Sequence, residues 1–174
     1  MLSLAGREGF VIPLDVYLDE AGIDANSDVL TVAGYLAHPD DWEAFTREWD
    51  AVLKPTGVSC YHATDAQALQ GEFKYWKSEQ VSALCAQLLP IIVKHAVGIS
   101  ASVHVRDFEA AFERRPELRG LFPEPYTACV HWLVMGLVDL AQRHRKDAKY
   151  ALVHEINDYQ QQALESYNWV KKKW

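Results

Sequence analysis

Four short segments of the chain carry the hydrophobic pattern of β-strands. Residues 11–19 lie in an apolar run that only Pro13 and Asp15 interrupt, and residues 29–37, 97–105 and 149–156 are likewise apolar or alternating. Short apolar runs bounded by turn residues are typical of strands, and Gly34 inside the second run indicates a bulge or a close backbone approach.

Other segments repeat their apolar residues at helical spacing. Residues 39–53 predict a helix whose buried stripe is Trp42, Phe45, Trp49 and Val52, with Asp40 as its N-cap. Helices are also predicted over residues 79–95, with Pro90 inside, over 107–114 and over 126–145, where one face is lined by Val130, Leu133, Val134, Leu137 and Ala141. The tail from residue 159 to 174 is helical in composition, and residues 59–65 predict an extended piece that turns into a loop.

The order of these elements predicts one mixed sheet. The short connection between the first two strands makes them antiparallel, whereas the long helix before residue 149 carries the chain across the sheet. The fourth strand is therefore expected to be parallel to another strand. If that neighbour is the first strand, Asp19 and Glu155 meet at one edge of the sheet.

Size, charge and cysteine content narrow the class of protein. With 174 residues, of which 49% are hydrophobic, we expect a single domain spanning residues 1–174. No apolar run reaches membrane-spanning length, no secretion signal is recognisable, and three scattered cysteines favour a cytoplasmic protein with reduced, mostly buried thiols. The net charge of −7 disfavours nonspecific nucleic-acid binding, and the two local basic runs, residues 143–146 and 171–173, are interpreted as solvated helix ends.

Carboxylates at the strand ends are the main candidates for chemistry. Asp19 follows an apolar run and precedes Gly22, so it is either a solvated acid or a metal ligand, and the same alternatives hold for Glu155. Asp158, in the turn that follows, is able to substitute for Glu155. Carboxylate oxygens suit Mg²⁺ or Mn²⁺. Glu20 is expected on the opposite side of the strand from Asp19, in a supporting or surface position.

Histidine offers one further candidate. His62 is the residue best suited to proton transfer, because a histidine titrates near neutral pH, although a loop histidine is more often a structural hydrogen-bonding group. The other six histidines are scattered without metal-ligand spacing, which argues against a zinc site. The chain contains neither a nucleotide-binding glycine loop nor a serine nucleophile elbow.

Several of these segments together resemble a known family. The stretch Tyr-Leu-Asp-Glu-Ala-Gly at residues 17–22 resembles the Asp-Glu-Ser-Gly signature that opens the DUF3800 family. The glycine-containing strand, the Trp-rich helix and the Tyr-His-Ala-Thr-Asp stretch at 61–65 follow in the order of that family. The resemblance implies a ribonuclease H-like fold, an α/β mixed sheet of three antiparallel strands plus a parallel fourth, with flanking helices.

The resemblance also implies a site. Asp19 and Glu20 match the opening signature, His62 the central histidine, and Glu155 the acid that ends the fourth strand. Two features depart from the family pattern: Ala21 replaces the usual serine, and the chain ends at Trp174 before the Leu-Gln-x-Ala-Asp segment that carries a further acid. We therefore expect a DUF3800-like domain truncated at its C-terminus, either as a fragment or with an incomplete site.

Two functions are consistent with these observations. The first is a metal-dependent phosphodiesterase of the nuclease kind, with Mg²⁺ or Mn²⁺ held by Asp19 and Glu155, or by Asp158, and with His62 assisting proton transfer. Its substrate would be a nucleic acid or a related phosphodiester. The second is a catalytically idle domain that acts as a binding or scaffold module, which the missing C-terminal acid supports.

Overall fold

The computed structural model describes residues 11–22, 27–120, 122–143, 147–154 and 168, and these form an α/β structure. The described strands are β1 (Val11–Ala21), β2 (Val29–Ala37), β3 (Val97–His104) and β4 (Asp147–His154). The described α-helices are α1 (Pro39–Leu53), α2 (Ala63–Ala68), α3 (Ser78–His95), α4 (Val105–Arg114) and α5 (Pro125–Arg143). Short 3-10 helices cover Lys54–Thr56, Gly71–Phe73 and Pro116–Gly120.

The strands lie in the order β3-β2-β1-β4. β1, β2 and β3 are antiparallel, and β4 pairs with β1 in parallel, in a register that runs from Val11 opposite Asp147 to Leu18 opposite His154. Gly34 permits a close approach of β2 to β1, because any residue with a Cβ atom at this position would overlap the carbonyl oxygen of Tyr17. The glycine in the second strand was therefore correctly interpreted as a site of close backbone approach.

The described chain divides into two compact units. One unit, here called the sheet unit, contains the sheet with α4 and α5, and the other, the helical unit, spans Ala37–Val97. In the sheet unit, alternate residues of β1 and β2 and one stripe of α5 form a common core. Its buried members are Val16, Leu18, Leu30, Val32, Leu36, Tyr126, Cys129, Val130, Leu133, Val134 and Leu137.

The helical unit has a core of its own. Its buried residues come from α1, α2, α3 and the segments between them: Leu53, Val58, Ala66, Phe73, Leu84, Leu88 and Ile91. Pro90 lies inside α3, which continues unbroken from Ser78 to His95. Proline in a helix interior often divides the helix, but α3 is one helix across Pro90.

The fold class predicted from the sequence needs correction. We expected a ribonuclease H-like mixed sheet with flanking helices, whereas the structure is an α/β chain with three antiparallel strands and five helices among the described residues. The helices between β2 and β3 form a separate unit, and their buried cluster contains no residue of the sheet. The apolar faces of these helices cover one another within that unit.

Local structure differs from the sequence prediction at three places. The aromatic stripe of α1 is only half-buried, since Leu53 is the buried residue of that helix. The N-cap is His38, whose Nδ1 accepts a hydrogen bond from the Asp40 amide at 3.3 Å, and Asp40 lies in the first turn instead. Residues 63–65, predicted as part of a loop, belong to the short helix α2.

Candidate functional site

The parallel pair β1 and β4 positions the main candidate residue. Leu18 lies opposite His154, the last pair of the described register, so Asp19 is the next residue of β1 beyond it. Parallel neighbours end at the same edge of a sheet, and ligand sites in α/β proteins often lie outside the carboxyl ends of such strands. The carboxyl ends of β1 and β4 are therefore the expected location of a ligand site.

Asp19 and Glu20 occupy different environments on β1. Asp19 is exposed, and its Oδ1 accepts a hydrogen bond from the Glu20 amide at 2.9 Å. Glu20 is half-buried, as the alternation of side chains along a strand predicts. Gly22 ends this segment with a φ of 77°, in the left-handed region that glycine adopts without strain. Asp19 is thus the accessible acid at this strand end.

The two other predicted metal ligands, Glu155 and Asp158, lie outside the described residues. Glu155 directly follows His154 in the sequence, and its approach to Asp19 stays a prediction. Within the described ranges, the structure contains no group of three or more His, Cys, Asp or Glu side chains arranged to hold a metal ion. A metal site on Asp19 therefore requires ligands from elsewhere in the chain, from substrate or from water.

His62 belongs to the helical unit, so the structure does not bring it together with Asp19 in one described unit. It is the exposed N-cap residue of α2 and follows an irregular segment that Glu72 fixes. The Glu72 carboxylate accepts hydrogen bonds from the Ser59 amide at 2.7 Å, from the Ser59 hydroxyl at 2.6 Å and from the Cys60 amide at 3.4 Å.

Electrostatics in this segment follow from those contacts. The Ser59 hydroxyl is the largest cause, and the Ser59 amide the second, of a Glu72 pKa below its usual value, and His62 lowers the pKa of Glu72 further. Hydrogen bonds that favour the charged carboxylate produce this direction. Glu72 therefore orders the backbone that leads into His62. The sequence did not predict this contact, because it joins residues thirteen positions apart and leaves no local pattern.

The cysteines do not form a nucleophilic site. Cys129 is buried, and desolvation raises the pKa of its thiol to about 11. Cys85 accepts a hydrogen bond from the Tyr61 hydroxyl at 3.4 Å, and this contact, followed by burial, raises the pKa of Tyr61 to about 12. Cys60 is exposed, so the expectation of mostly buried thiols holds for Cys129 but is wrong for Cys60.

Two exposed tyrosines on the sheet were also missed. Tyr17 of β1 and Tyr35 of β2 have 47% and 43% of their surfaces exposed, on neighbouring strands. A signal was available, since alternation places Tyr17 on the same side of β1 as Asp19, opposite the core residues Val16 and Leu18.

Comparisons with protein-family models, with curated proteins and with solved structures find no match to this chain. The resemblance to the DUF3800 family therefore stays a prediction. Among the residues that the structure describes, no helix is both long and apolar enough to span a membrane.

Proposed function

We propose that this chain is a divalent-metal-dependent phosphodiesterase that hydrolyses a nucleic acid or a related phosphodiester, with Asp19 as a metal ligand. One observation carries the proposal: β1 and β4 are parallel neighbours whose described pairing ends at Leu18 and His154, immediately before Asp19. The exposed carboxylate thus stands at the carboxyl end of paired parallel strands, where a substrate has access.

The residues fit Mg²⁺ or Mn²⁺ in their donor chemistry. The backbone amide of Glu20 bonds Oδ1 of Asp19, which orients the carboxylate, and carboxylate oxygens are the donors that these hard cations prefer. Glu155 and Asp158 are proposed as further ligands. When bound, such an ion generates a nucleophile from water and neutralises charge on the phosphate. His62 is proposed as the proton-transfer residue, because a histidine changes charge near neutral pH.

The test compares metal binding with hydrolysis in matched variants. Melting curves of the wild type, Asp19→Asn, Glu155→Gln and Asp107→Asn are recorded with EDTA and with 5 mM Mg²⁺ or Mn²⁺, beside hydrolysis of bis(p-nitrophenyl) phosphate. Asp107 is the control, because it is an exposed acid of the same unit, located in the first turn of α4. We expect a metal-dependent rise in Tm in the wild type and in Asp107→Asn, which Asp19→Asn and Glu155→Gln lose together with hydrolysis.

The outcomes separate the two functions. Equal metal shifts in the wild type and Asp19→Asn, or none in the wild type, would contradict the phosphodiesterase and leave the binding or scaffold domain as the function. A shift that depends on Asp19 without hydrolysis of the small ester or of oligonucleotides would place metal on a catalytically idle domain. A His62→Gln variant that changes the pH profile of hydrolysis without changing the metal shift would support proton transfer by His62.

A further inference from the structure

β3 forms one edge of the sheet, and its sequence lacks the features that usually protect such an edge. Among the described strands, none lies beyond β3 in the order β3-β2-β1-β4. Edge strands are commonly short, bulged or supplied with charged residues or proline, which hinder pairing with another chain. β3 has eight residues, Val-Gly-Ile-Ser-Ala-Ser-Val-His, with no proline, lysine, arginine or carboxylate among them, whereas the opposite edge strand, β4, contains Asp147 and Lys149. The sequence of β3 thus leaves this edge open to another strand.

Contacts between β2 and β3 establish the register of this pair. At the end of the two strands, the Val105 amide donates a hydrogen bond to the Asp28 carbonyl at 2.9 Å. Two further contacts fit the same antiparallel register, because each steps back along β3 by as many residues as it advances along β2. In these contacts the hydroxyls of Thr31 and Ser102 lie 2.8 Å apart, and the Tyr35 ring lies beside Gly98.

The register shows which way the backbone of β3 points. Backbone groups of successive strand residues point to opposite sides, so the odd-numbered residues of β3 face β2, as the Val105 amide does. The amides and carbonyls of the even-numbered residues therefore point to the open edge. These residues are Gly98, Ser100, Ser102 and His104.

The core side of β3 is incompletely covered. Its odd-numbered residues Ile99, Ala101 and Val103 pack against the core of the sheet unit but are only partly buried. In the two central strands, which have neighbours on both sides, Val16 and Val32 of the same core are fully buried. A strand added beyond β3 would shield the exposed parts of its apolar side chains from water, which is favourable.

The middle of β3 has nearly the same sequence in either direction. Residues 99–103, Ile-Ser-Ala-Ser-Val, begin and end with a β-branched residue and carry a serine on each side of Ala101. We infer that a second copy of this chain pairs its β3 with this β3, antiparallel, about a two-fold axis at Ala101. A two-fold interface uses the same surface on both copies, so the strand at its centre must be complementary to itself.

This register satisfies both the backbone and the side chains. Gly98 lies opposite His104 of the second copy and Ser100 opposite Ser102, so the outward amides and carbonyls of these residues all find partners. On the core side β-branched residues meet, and on the outer side serines meet, which are able to bond as Thr31 and Ser102 do. β3 contains no lysine, arginine or carboxylate, so no like charges are brought together. β2 separates this edge from β1, so the inference is independent of the proposed metal site.

Sedimentation velocity between about 1 and 100 µM tests the inference, because the dimer fraction of a self-associating chain rises with concentration. We expect a concentration-dependent dimer in the wild type. Ser100→Pro removes an amide that points to the open edge and leaves the amides that face β2, so it should stay folded by circular dichroism and become monomeric. Val93→Lys is the control: Val93, on α3, is 81% exposed, and its replacement should leave the dimer unchanged.

Disulfide trapping tests the register without the proline variant. In a Cys60→Ser background, which removes the exposed thiol, Ala101→Cys is compared with Ser100→Cys under mild oxidation. The two residues at position 101 face each other across the axis as a pair without backbone hydrogen bonds, with about 4.5 Å between their Cα atoms, which is close enough for a disulfide. Ser100 instead lies opposite position 102, so Ala101→Cys should form covalent dimers at least about tenfold faster on non-reducing gels.

The outcomes decide between this edge and other contacts. A wild type that stays monomeric would overturn the inference, and so would a dimer that persists in a folded Ser100→Pro. A dimer lost in Val93→Lys alone would assign the contact to the apolar surface of α3 instead. Equal rates of cross-linking in Ala101→Cys and Ser100→Cys would show that β3 does not pair about Ala101.

Discussion

Both units have a buried cluster of mainly aliphatic residues, but they differ in the arrangement of aromatic rings around that cluster. The sheet unit buries aliphatic residues of β1 and β2 against α5. Among the described residues of that buried cluster, Tyr126 is the one aromatic residue. The helical unit instead contains a chain of six aromatic rings that meet in sequence at centroid distances between 5.1 and 6.3 Å: Trp42, Phe45, Trp49, Tyr61, Phe73 and Trp76. Only Phe73 of these six is buried.

The difference shows how far local pattern determines packing. The apolar stripe of α5 was predicted from helical spacing, and Val130, Leu133, Val134 and Leu137 are all buried. The aromatic stripe of α1 was predicted in the same way, yet Phe45 and Trp49 only border the cluster. Phe45 and Trp49 stack on each other and the other rings of this chain meet edge to face, so the rings interact while part of their surface stays exposed.

Removing Phe73 should have the largest effect. Phe73 is 1% exposed and contacts both Tyr61 and Trp76, so Phe73→Ala is expected to destabilise the helical unit by about 3–5 kcal/mol. Trp49→Ala, at a half-buried position, should cost about 2 kcal/mol. Urea denaturation measures both, and hydrogen exchange shows whether the loss is concentrated in residues 37–97. Equal losses from the two variants would contradict the distinction between a buried and a bordering ring.

A methyl group at Gly34 should disturb the sheet unit next. The added Cβ would overlap the Tyr17 carbonyl oxygen and lie 2.9 Å from Cδ2 of Leu18, and the first of these is backbone that cannot rotate away. Gly34→Ala is therefore expected to cost about 1–3 kcal/mol, depending on how far β1 and β2 separate. Urea denaturation measures it. A neutral result would mean that the close approach of β2 to β1 is not needed.

A methyl group at Gly136 should have the opposite effect on the stability of the same unit. It lies within α5, and no described atom outside the backbone of that helix comes within 4 Å of the position that a Cβ atom would take, so alanine meets no steric obstacle there. Gly136→Ala should stabilise the protein by about 0.5–1 kcal/mol, because alanine has the higher helix propensity. The same urea titration serves, and destabilisation would show that this face of α5 is covered.

The smallest effect is expected from Glu72, which is exposed. Its pKa lies below the usual 4.5 in the folded protein, so the carboxylate stabilises the fold above pH 4.5 and loses that contribution as the pH falls through the lowered value. Glu72→Gln should therefore have a lower Tm than the wild type at pH 7, with the difference shrinking toward pH 3. Glu79→Gln, an exposed acid at the start of α3, is the control. A difference independent of pH would contradict this account.

Much of the candidate site follows from local sequence, but its assembly does not. The position of Asp19 at the end of an apolar strand and the opposite orientation of Glu20 were predicted from period-two alternation. The proposed meeting of Asp19 with Glu155 or His62 depends on contacts between distant segments. Glu155 lies outside the described residues, and His62 belongs to the other unit.

The sequence by itself determined the elements whose signals are local: the strands, the long helices and the buried stripe of α5. Only the tertiary structure decided that the helices after β2 form a unit with their own core, that Glu72 fixes the segment before His62, and that Tyr35 reaches across to Gly98. Hydrophobic periodicity specifies which face of an element is buried, because it repeats within a few residues. It does not specify the partner that buries that face, because the partner is selected by packing between residues far apart in the chain.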